Sequence, residues 1–376
     1  MKKRFEFNLQ YPKPLLENEL DQLISIAKSG LFSRYTGHIV DELEEELASY
    51  YQTEYAVTCT SGTAALHGCL VALDLQPESE IITTSVADIG IVIPIMYENL
   101  IPVFADIDPD NWCLDPASVR EKITDKTKAI IVVDLYGNMP DMDALEAISK
   151  EYDIPLIEDA AEALGSTYKG VRAGKFGVGG VHSFHRTKTI ATGEGGVLLL
   201  DDNELFQRAK FLRDHGRSPE NAYYTIEATP KYMPSNLQAS MAWAQFQRID
   251  ELVSRKRYLL HRYKDNLSDI RDLQFNMETD DLVNGVWATT MVFGVSHGIK
   301  KLDAIERLAK LDVPARPFFY PLSSLPAYEH YETGSKDENP NAYNVSERGI
   351  TLACDYNLTD EQIDFICDGI RTILEK

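Results

Sequence analysis

A chain of 376 residues, 44% hydrophobic and 26% charged, has apolar material for more than one core and is not built for wholesale disorder. Its formal net charge of −22 argues against nucleic acid or an anionic membrane as partner, so local donors must hold any phosphorylated ligand against an adverse overall field. Five cysteines without CxxC spacing (Cys59, Cys69, Cys113, Cys354, Cys367) read as small core residues or free thiols, and no window approaches the ~18 apolar residues of a membrane span, so a cytoplasmic protein is expected.

Between about residues 40 and 200, short apolar β-branched runs alternate with helical patterns. The runs predict strands at 55–59, 81–84, 101–104, 129–133, 155–157, 181–184 and 197–200, and amphipathic spacing predicts helices at 64–73 and 142–152. Such alternation predicts an α/β fold with a buried, mostly parallel central sheet and helices on both faces. Ligands collect at the carboxyl ends of such strands, where Ser61, Asp159 and Lys188 fall. From 237 to about 263 the spacing predicts one long helix leaving the sheet. A strand at 292–295 and helices at 301–311 and 359–374 then predict a smaller α+β domain. The large domain is assigned to 13–245 and the small C-terminal one to 246–376, with segment 1–12 packing on the latter. Residues 334–341 read as a polar surface loop, and the acidic runs 41–46 and 278–281 as solvated faces.

Three segments carry chemistry. Thr60-Ser61-Gly62-Thr63 follows a strand and opens a helix, which makes it either a phosphate site of hydroxyls and N–H groups or a plain N-cap. Neither GxGxxG nor GxxxxGK[ST] is present, which excludes the dinucleotide and Walker loops. Asp159 ends the apolar run Pro155-Leu156-Ile157, as a cofactor ligand or as a helix cap. Lys188 lies on a Ser/Gly-rich turn, Ser183 to Gly196, between two apolar strands. An amine for a Schiff base and a carboxylate for a pyridine nitrogen are the two groups that pyridoxal 5'-phosphate (PLP) requires. His185 has two readings, catalytic or half-buried and structural, while His215 reads as a loop residue.

The segments Ser61-Gly62-Thr63-Ala64-Ala65-Leu66, Pro102-Val103-Phe104-Ala105-Asp106-Ile107-Asp108, Glu158-Asp159-Ala160-Ala161-Glu162-Ala163, Lys188…Gly193-Glu194-Gly195-Gly196, Ser235-Asn236-Leu237-Gln238-Ala239 and Arg316-Pro317-Phe318-Phe319-Tyr320-Pro321 stand in one order along the chain. Together they resemble the DegT/DnrJ/EryC1/StrS family of PLP-dependent sugar aminotransferases over essentially the whole chain. Glu162, Lys188-Thr189-Ile190 and the Arg316 segment look closest to its GDP-perosamine synthase-like branch. The resemblance implies a fold-type-I (aspartate-aminotransferase-like) homodimer with shared active sites. It implies Lys188 as the Schiff-base lysine, Asp159 on the pyridine nitrogen, Glu162 near the cofactor, and Gly62, Thr63 and Ser183, beside Ser61, at the phosphate. Lys231, in the segment Lys231-Tyr232-Met233-Pro234-Ser235-Asn236, would reach the neighbouring subunit's cofactor. Arg316 is a candidate for a substrate phosphate or donor carboxylate, or else for a structural ion pair, and Tyr320 and His185 are candidates on the substrate side.

A lysine at 188, where some relatives carry histidine and dehydrate sugars, favours amino transfer. The implied cycle is ping-pong: L-glutamate loads the cofactor, then a nucleotide-linked 4-keto-6-deoxy sugar takes the amine at C4, for surface polysaccharide or another glycoconjugate. Two positions depart from the family pattern. Asp88 falls where relatives stack an aromatic on the cofactor ring, and Ser323 where they commonly carry histidine. Amination of another keto sugar (C3-keto, N-acetylated 4-keto, or not nucleotide-linked) and a PLP-binding regulatory protein with little turnover are the alternatives.

Overall fold

The computed structural model describes residues 5, 7, 16–328, 331 and 334–375. The chain lays down β1 (Tyr55–Cys59), β2 (Glu80–Thr84), β3 (Ile101–Ala105), β4 (Thr127–Val133), β5 (Leu156–Asp159), β6 (Thr167–Tyr168), β7 (Val171–Arg172), β8 (Gly179–Ser183) and β9 (Gly196–Leu200). After them come β10 (Leu273–Phe275), β11 (Leu282–Val283), β12 (Thr290–Phe293), β13 (Ala315–Pro317) and β14 (Gly349–Leu352). A seven-stranded sheet has the order β1-β9-β8-β5-β4-β2-β3. Its strands pair in parallel except that β9 runs antiparallel to both neighbours. A four-stranded antiparallel sheet has the order β10-β12-β14-β13, and β11 joins β6 and β7 in a small third sheet.

Both faces of the large sheet are buried, as the continuous apolar runs require. Along β4, Ala129, Ile131 and Val133 enter one apolar cluster while Ile130 and Val132 enter another on the opposite face. Helix Met142–Tyr152 covers the second face with Met142, Leu145 and Ile148. The first cluster runs on without a break into the C-terminal part, through Met291, Phe293, Ile350 and Ile370. All five cysteines are free and buried. Of segment 1–12, Phe5 and Phe7 lie against Phe365 of helix Asp360–Leu374, and the rest is outside the described residues.

Four expectations are corrected. The single helix over 237–263 is two, Asn236–Phe246 and Ile249–Asn266. At the junction Arg248 leaves helical geometry (φ −123, ψ 27), with its guanidinium on Glu19 at 3.3 Å and Glu251 at 2.6 Å. Residues 334–341 are not all loop. Pro340 opens a helix to Arg348, suited to a residue without N–H, and Asn339 is fully buried. Asp106 Oδ1 and Oδ2 accept from the N–H groups of Ala342 and Asn341, so the cap of that helix comes from far away in sequence. Within the acidic run 41–46, Glu44 turns inward and accepts from Thr58 N–H and Oγ1–H at 2.9 and 2.7 Å and from Arg213. The strand expected at 292–295 is shifted to Thr290–Phe293, and Val295 begins an exposed turn.

Sites of close backbone approach need glycine. Gly177 has φ +72, and a Cβ there would stand 2.1 Å from the Leu156 carbonyl oxygen in β5. Gly298 has φ +62 but nothing within 4 Å. Gly177→Ala is therefore expected to lower unfolding free energy by about 1–3 kcal/mol, and Gly298→Ala by about 1 kcal/mol from backbone strain alone. Thermal or denaturant unfolding of the two variants side by side checks the order.

Candidate active site

The carboxyl ends of β1, β5 and β8 face one cavity of about 380 Å³. Ser61, Gly62, Thr63, Asp88, Asp159, Glu162, Ser183, His185, Lys188 and Arg316, ten sequence candidates, all line it. β1 delivers the first wall. Ser61 Oγ accepts from Ala64 N–H at 3.0 Å and caps helix Gly62–Ala72, so the capping and cavity readings of this turn hold together. A Cβ on Gly62 would meet Ser183 Cβ at 2.9 Å, and one on Gly196 would meet Gly62 N at 2.5 Å and Ser61 O at 2.6 Å. The turn thus presents N–H groups and hydroxyls at a helix N-terminus with bare backbone behind them, a fitting cradle for a phosphate.

Asp159 closes β5 and Glu162 follows it. Asp159 is 8% exposed, and its Oδ1 accepts from Ala161 N–H at 3.0 Å. Burial pushes its carboxyl up to about 6, against the pull of the Ala161 N–H and Lys188. Glu162 Oε2 accepts from Tyr136 N–H at 3.0 Å, and Oε1 lies 3.3 Å from Lys188 Nζ. Burial raises its carboxyl to about 7, outweighing the Lys188 charge. Behind Asp159, the fully buried Asp134 and Glu158 also titrate high because of burial, Glu158 at about 7.

Lys188 is on the loop after β8. Its own N–H donates to His185 O at 2.8 Å, and Phe184 N–H donates to Gly195 O at 2.8 Å, so the loop is the tip of a hairpin. His185 is half-buried, with Nδ1 2.9 Å from Thr187 Oγ1, on the cavity wall rather than in the core. Arg316, on β13, brings a half-buried guanidinium whose pKa burial lowers. Asp88 occupies the wall at the position expected for a stacking aromatic, and its Oδ1 accepts from Gly90 N–H at 2.9 Å. Aromatic surface comes instead from Trp287 and Phe319, on the side of the smaller sheet.

Two candidates are not brought into this cavity. Lys231 lies at the surface, paired with Asp214 and 3.1 Å from Tyr35 Oη. Tyr320 lines an adjacent groove of about 220 Å³ shared with Arg316, Phe319 and Trp287, its ring 3.6 Å from Lys301 Nζ. Ser323 bonds the Gly334 carbonyl and Tyr343, outside the cavity lining. The sequence reading missed Trp287, because a lone tryptophan after Gly285-Val286 has no spacing that marks it.

The arrangement suits PLP: an amine, a buried acceptor and a phosphate cradle open on one space. The pattern of the DegT/DnrJ/EryC1/StrS aminotransferase family matches residues 14–371. The chain is 33% identical to a GDP-perosamine synthase of Escherichia coli O157:H7 over 336 residues, covering 89% of this chain and 90% of that one. Spr1654 of Streptococcus pneumoniae, solved in a PLP form, superposes with TM-score 0.90 at 27% identity over 97% of this chain and 98% of its own. DesI, solved with its TDP-sugar product, gives TM-score 0.90 at 25% identity over 99% and 94%.

Two tests follow from this geometry. Gly196→Ala, by pushing on Ser61 and Gly62, is expected to weaken PLP binding about tenfold, the effect of roughly 1.4 kcal/mol, in a titration followed by absorbance. In the cofactor-free protein Glu162 titrates near 7 against an ordinary 4.5, so its contribution is fully present below about pH 4.5 and is lost as pH rises through 7. Buried His182, lowered to about 4, acts in the opposite direction, so the difference between proteins is the useful measurement. Glu162→Gln should gain stability relative to wild type as pH rises from 4.5 to 7.5, read by melting temperature.

Proposed function

The chain belongs to the DegT/DnrJ/EryC1/StrS aminotransferase family and is a PLP-dependent sugar aminotransferase, and on that premise we propose that it transfers the amino group of L-glutamate to C4 of a nucleotide-linked 4-keto-6-deoxyhexose of the perosamine type. The product would feed surface polysaccharide or another glycoconjugate. The observation that carries this reading is the convergence of Lys188, Asp159 and the Ser61–Thr63 turn on one cavity. Its finer part, the sugar, draws on the similarity to a GDP-perosamine synthase.

PLP, when bound, supplies an aldehyde for an amine and a ring that accepts electrons from the adjoining carbon. Lys188 Nζ would be the amine that holds it and the base that moves a proton at the substrate carbon. Asp159 would keep a proton on the ring nitrogen. Ser61, Gly62, Thr63 and Ser183 would hold the phosphate by hydroxyls and N–H groups. Arg316 offers a planar cation for a substrate phosphate or for the carboxylate of the donor. His185 stands on the same wall, and Tyr320 extends the substrate side into the adjoining groove.

The working unit in this proposal is a homodimer, with residues 13–245 as the cofactor domain and 246–376 as the small domain, acting in the cytoplasm. No helix among the described residues is long and apolar enough to cross a membrane. Support for a second copy comes from an exposed apolar surface: Leu20, Ile24 and Phe32, then Tyr223, Tyr224 and Ile226. The two stretches are linked through Tyr35, Lys231 and Asp214. Lys231 would act across that interface.

A second reading concerns the sugar alone. Asp88 in the cavity wall and Ser323, the two departures from the family pattern, motivate another keto sugar as the acceptor: a C3-ketone, an N-acetylated 4-ketone, or a sugar without a nucleotide. The test is an absorbance spectrum of the protein with PLP before and after L-glutamate, beside Lys188→Ala. Glutamate should convert the cofactor to its amino form only when Lys188 is present, and the 4-keto-6-deoxy sugar nucleotide should convert it back. Recovery only by one of the other keto sugars selects the second reading, and no response to glutamate rejects that donor.

A further inference from the structure

The strand that leads into the Ser61–Thr63 turn, β1, stands at the edge of the seven-stranded sheet, with β9 on one side of it. On the open side of an edge strand, every second residue turns its backbone N–H and C=O outward. Thr58 and Thr60 are such residues, and groups from remote segments complete them. Thr58 N–H donates to Glu44 Oε1 at 2.9 Å, and Thr58 O accepts from Arg213 Nη1 at 2.7 Å. Thr60 N–H donates to the carbonyl of Tyr232 at 2.9 Å, and Tyr232 N–H donates to the Arg213 carbonyl at 2.8 Å. The backbone next to Ser61 is therefore held by Tyr232.

Tyr232 also reaches the far side of the same turn. Helix Gly62–Ala72 begins there, and more than one turn along it stands His67, 5% exposed. His67 Nε2 lies 2.7 Å from Glu98 Oε1, and Nδ1 lies 2.8 Å from Tyr232 Oη. A carboxylate only accepts, so Nε2–H donates to Glu98 and Nδ1 is left for the Tyr232 hydroxyl. The imidazole also meets the rings of Tyr97 and Tyr232 edge to face, centroids 5.5 and 5.7 Å away. Tyr232 thus closes a ring, with its carbonyl on Thr60 and its hydroxyl on His67. Between those two points along the chain lie Ser61, Gly62 and Thr63. His67, Glu98 and Tyr232 are not part of the cavity lining, so they act on the site only through the turn.

We propose that Tyr232 is a positioning residue for the cofactor phosphate, a clasp that spans the Ser61–Thr63 turn from Thr60 to His67, and that Glu98 fixes the clasp through His67. The proposal rests on the assignment of that turn to the phosphate. N–H groups at a helix N-terminus hold an anion well only while they converge on it. With a net charge of −22 the rest of the chain gives no help from a distance, so the aim of the local donors decides the affinity. Fixing both ends of a short turn aims those donors before the anion arrives and removes the cost of ordering them on binding. The effect is confined to the phosphate, since ring and aldehyde would be met by Asp159 and Lys188 at the ends of other strands.

The experiment compares two ligands on full-length protein freed of cofactor: PLP, and pyridoxal, which has the same ring and aldehyde but no phosphate. Each is titrated with absorbance detection, and the readout is the ratio of the two dissociation constants. The wild-type ratio comes first. A wild type that binds both equally well overturns the assignment of the phosphate to this turn, and the proposal with it. Against a wild-type preference for PLP, Tyr232→Phe keeps the ring and the carbonyl but loses the hydroxyl. It should reduce the preference about fivefold, the effect of one hydrogen bond. Glu98→Ala should reduce it about twofold, and Glu98→Gln, whose amide oxygen still accepts from Nε2–H, should restore it. Pyridoxal affinity should stay at its wild-type value in all three. An unchanged ratio in Tyr232→Phe overturns the clasp, and so does an equal loss for both ligands, which is what general loosening of the fold would give. If Tyr232→Phe does not fold, Glu98→Ala decides by the same ratio.

Discussion

Everything at the cavity depends on keeping negative charge under control where water is scarce. Asp134, Glu158, Asp159 and Glu162 are all buried along the carboxyl edge of β4 and β5, and burial raises each of them. Lys188 is the cation that meets this cluster, 3.3 Å from Glu162. Carboxyls that titrate near neutrality can hold or give up a proton at little cost, whereas ordinary carboxylates would remain charged. A sheet with parallel central strands makes this possible, because consecutive strands end side by side and bring acids from different segments into contact.

The large sheet was legible in the sequence because its physics is local. Strands buried on both faces must be continuously apolar and β-branched, and β1 was expected at the bounds it takes. Candidates in the turn after β1, at the end of β5 and on the hairpin after β8 were equally visible, since strand ends in such a fold have few other places to go. Failures came where the deciding partner is distant in sequence. Nothing near Asn339 announces that Phe104 and Asp106 organise its segment, and nothing near Arg248 announces Glu19. Glu44 looked solvated beside its acidic neighbours, yet Thr58 and Arg213 draw it inward. Trp287 belongs to the same class: its Nε1–H donates to the carbonyl of Thr187, far away along the chain.

The aromatic surface of the cavity lies on the side of the smaller sheet, away from Asp88. Asp88 cannot stack on a flat ring, and its carboxylate is occupied with Gly90 N–H. Trp287, Phe319 and Tyr136 form a stacked group on the other side, continuous with the smaller sheet. One set of rings therefore joins the cavity to the groove beside it, and Arg316 lies at the boundary of the two.

The reversed direction of β9 has its own consequence. A parallel successor to β8 would have needed a crossover that returns the chain to the opposite edge of the sheet before β9 could begin. Running back beside β8 instead, β9 clamps both arms of the hairpin into the sheet, with Ser183 opposite Gly196 at its base. The connection that carries Lys188 therefore leaves and re-enters the sheet at paired positions, Ser183 and Gly196, so its two ends are held together by the sheet itself.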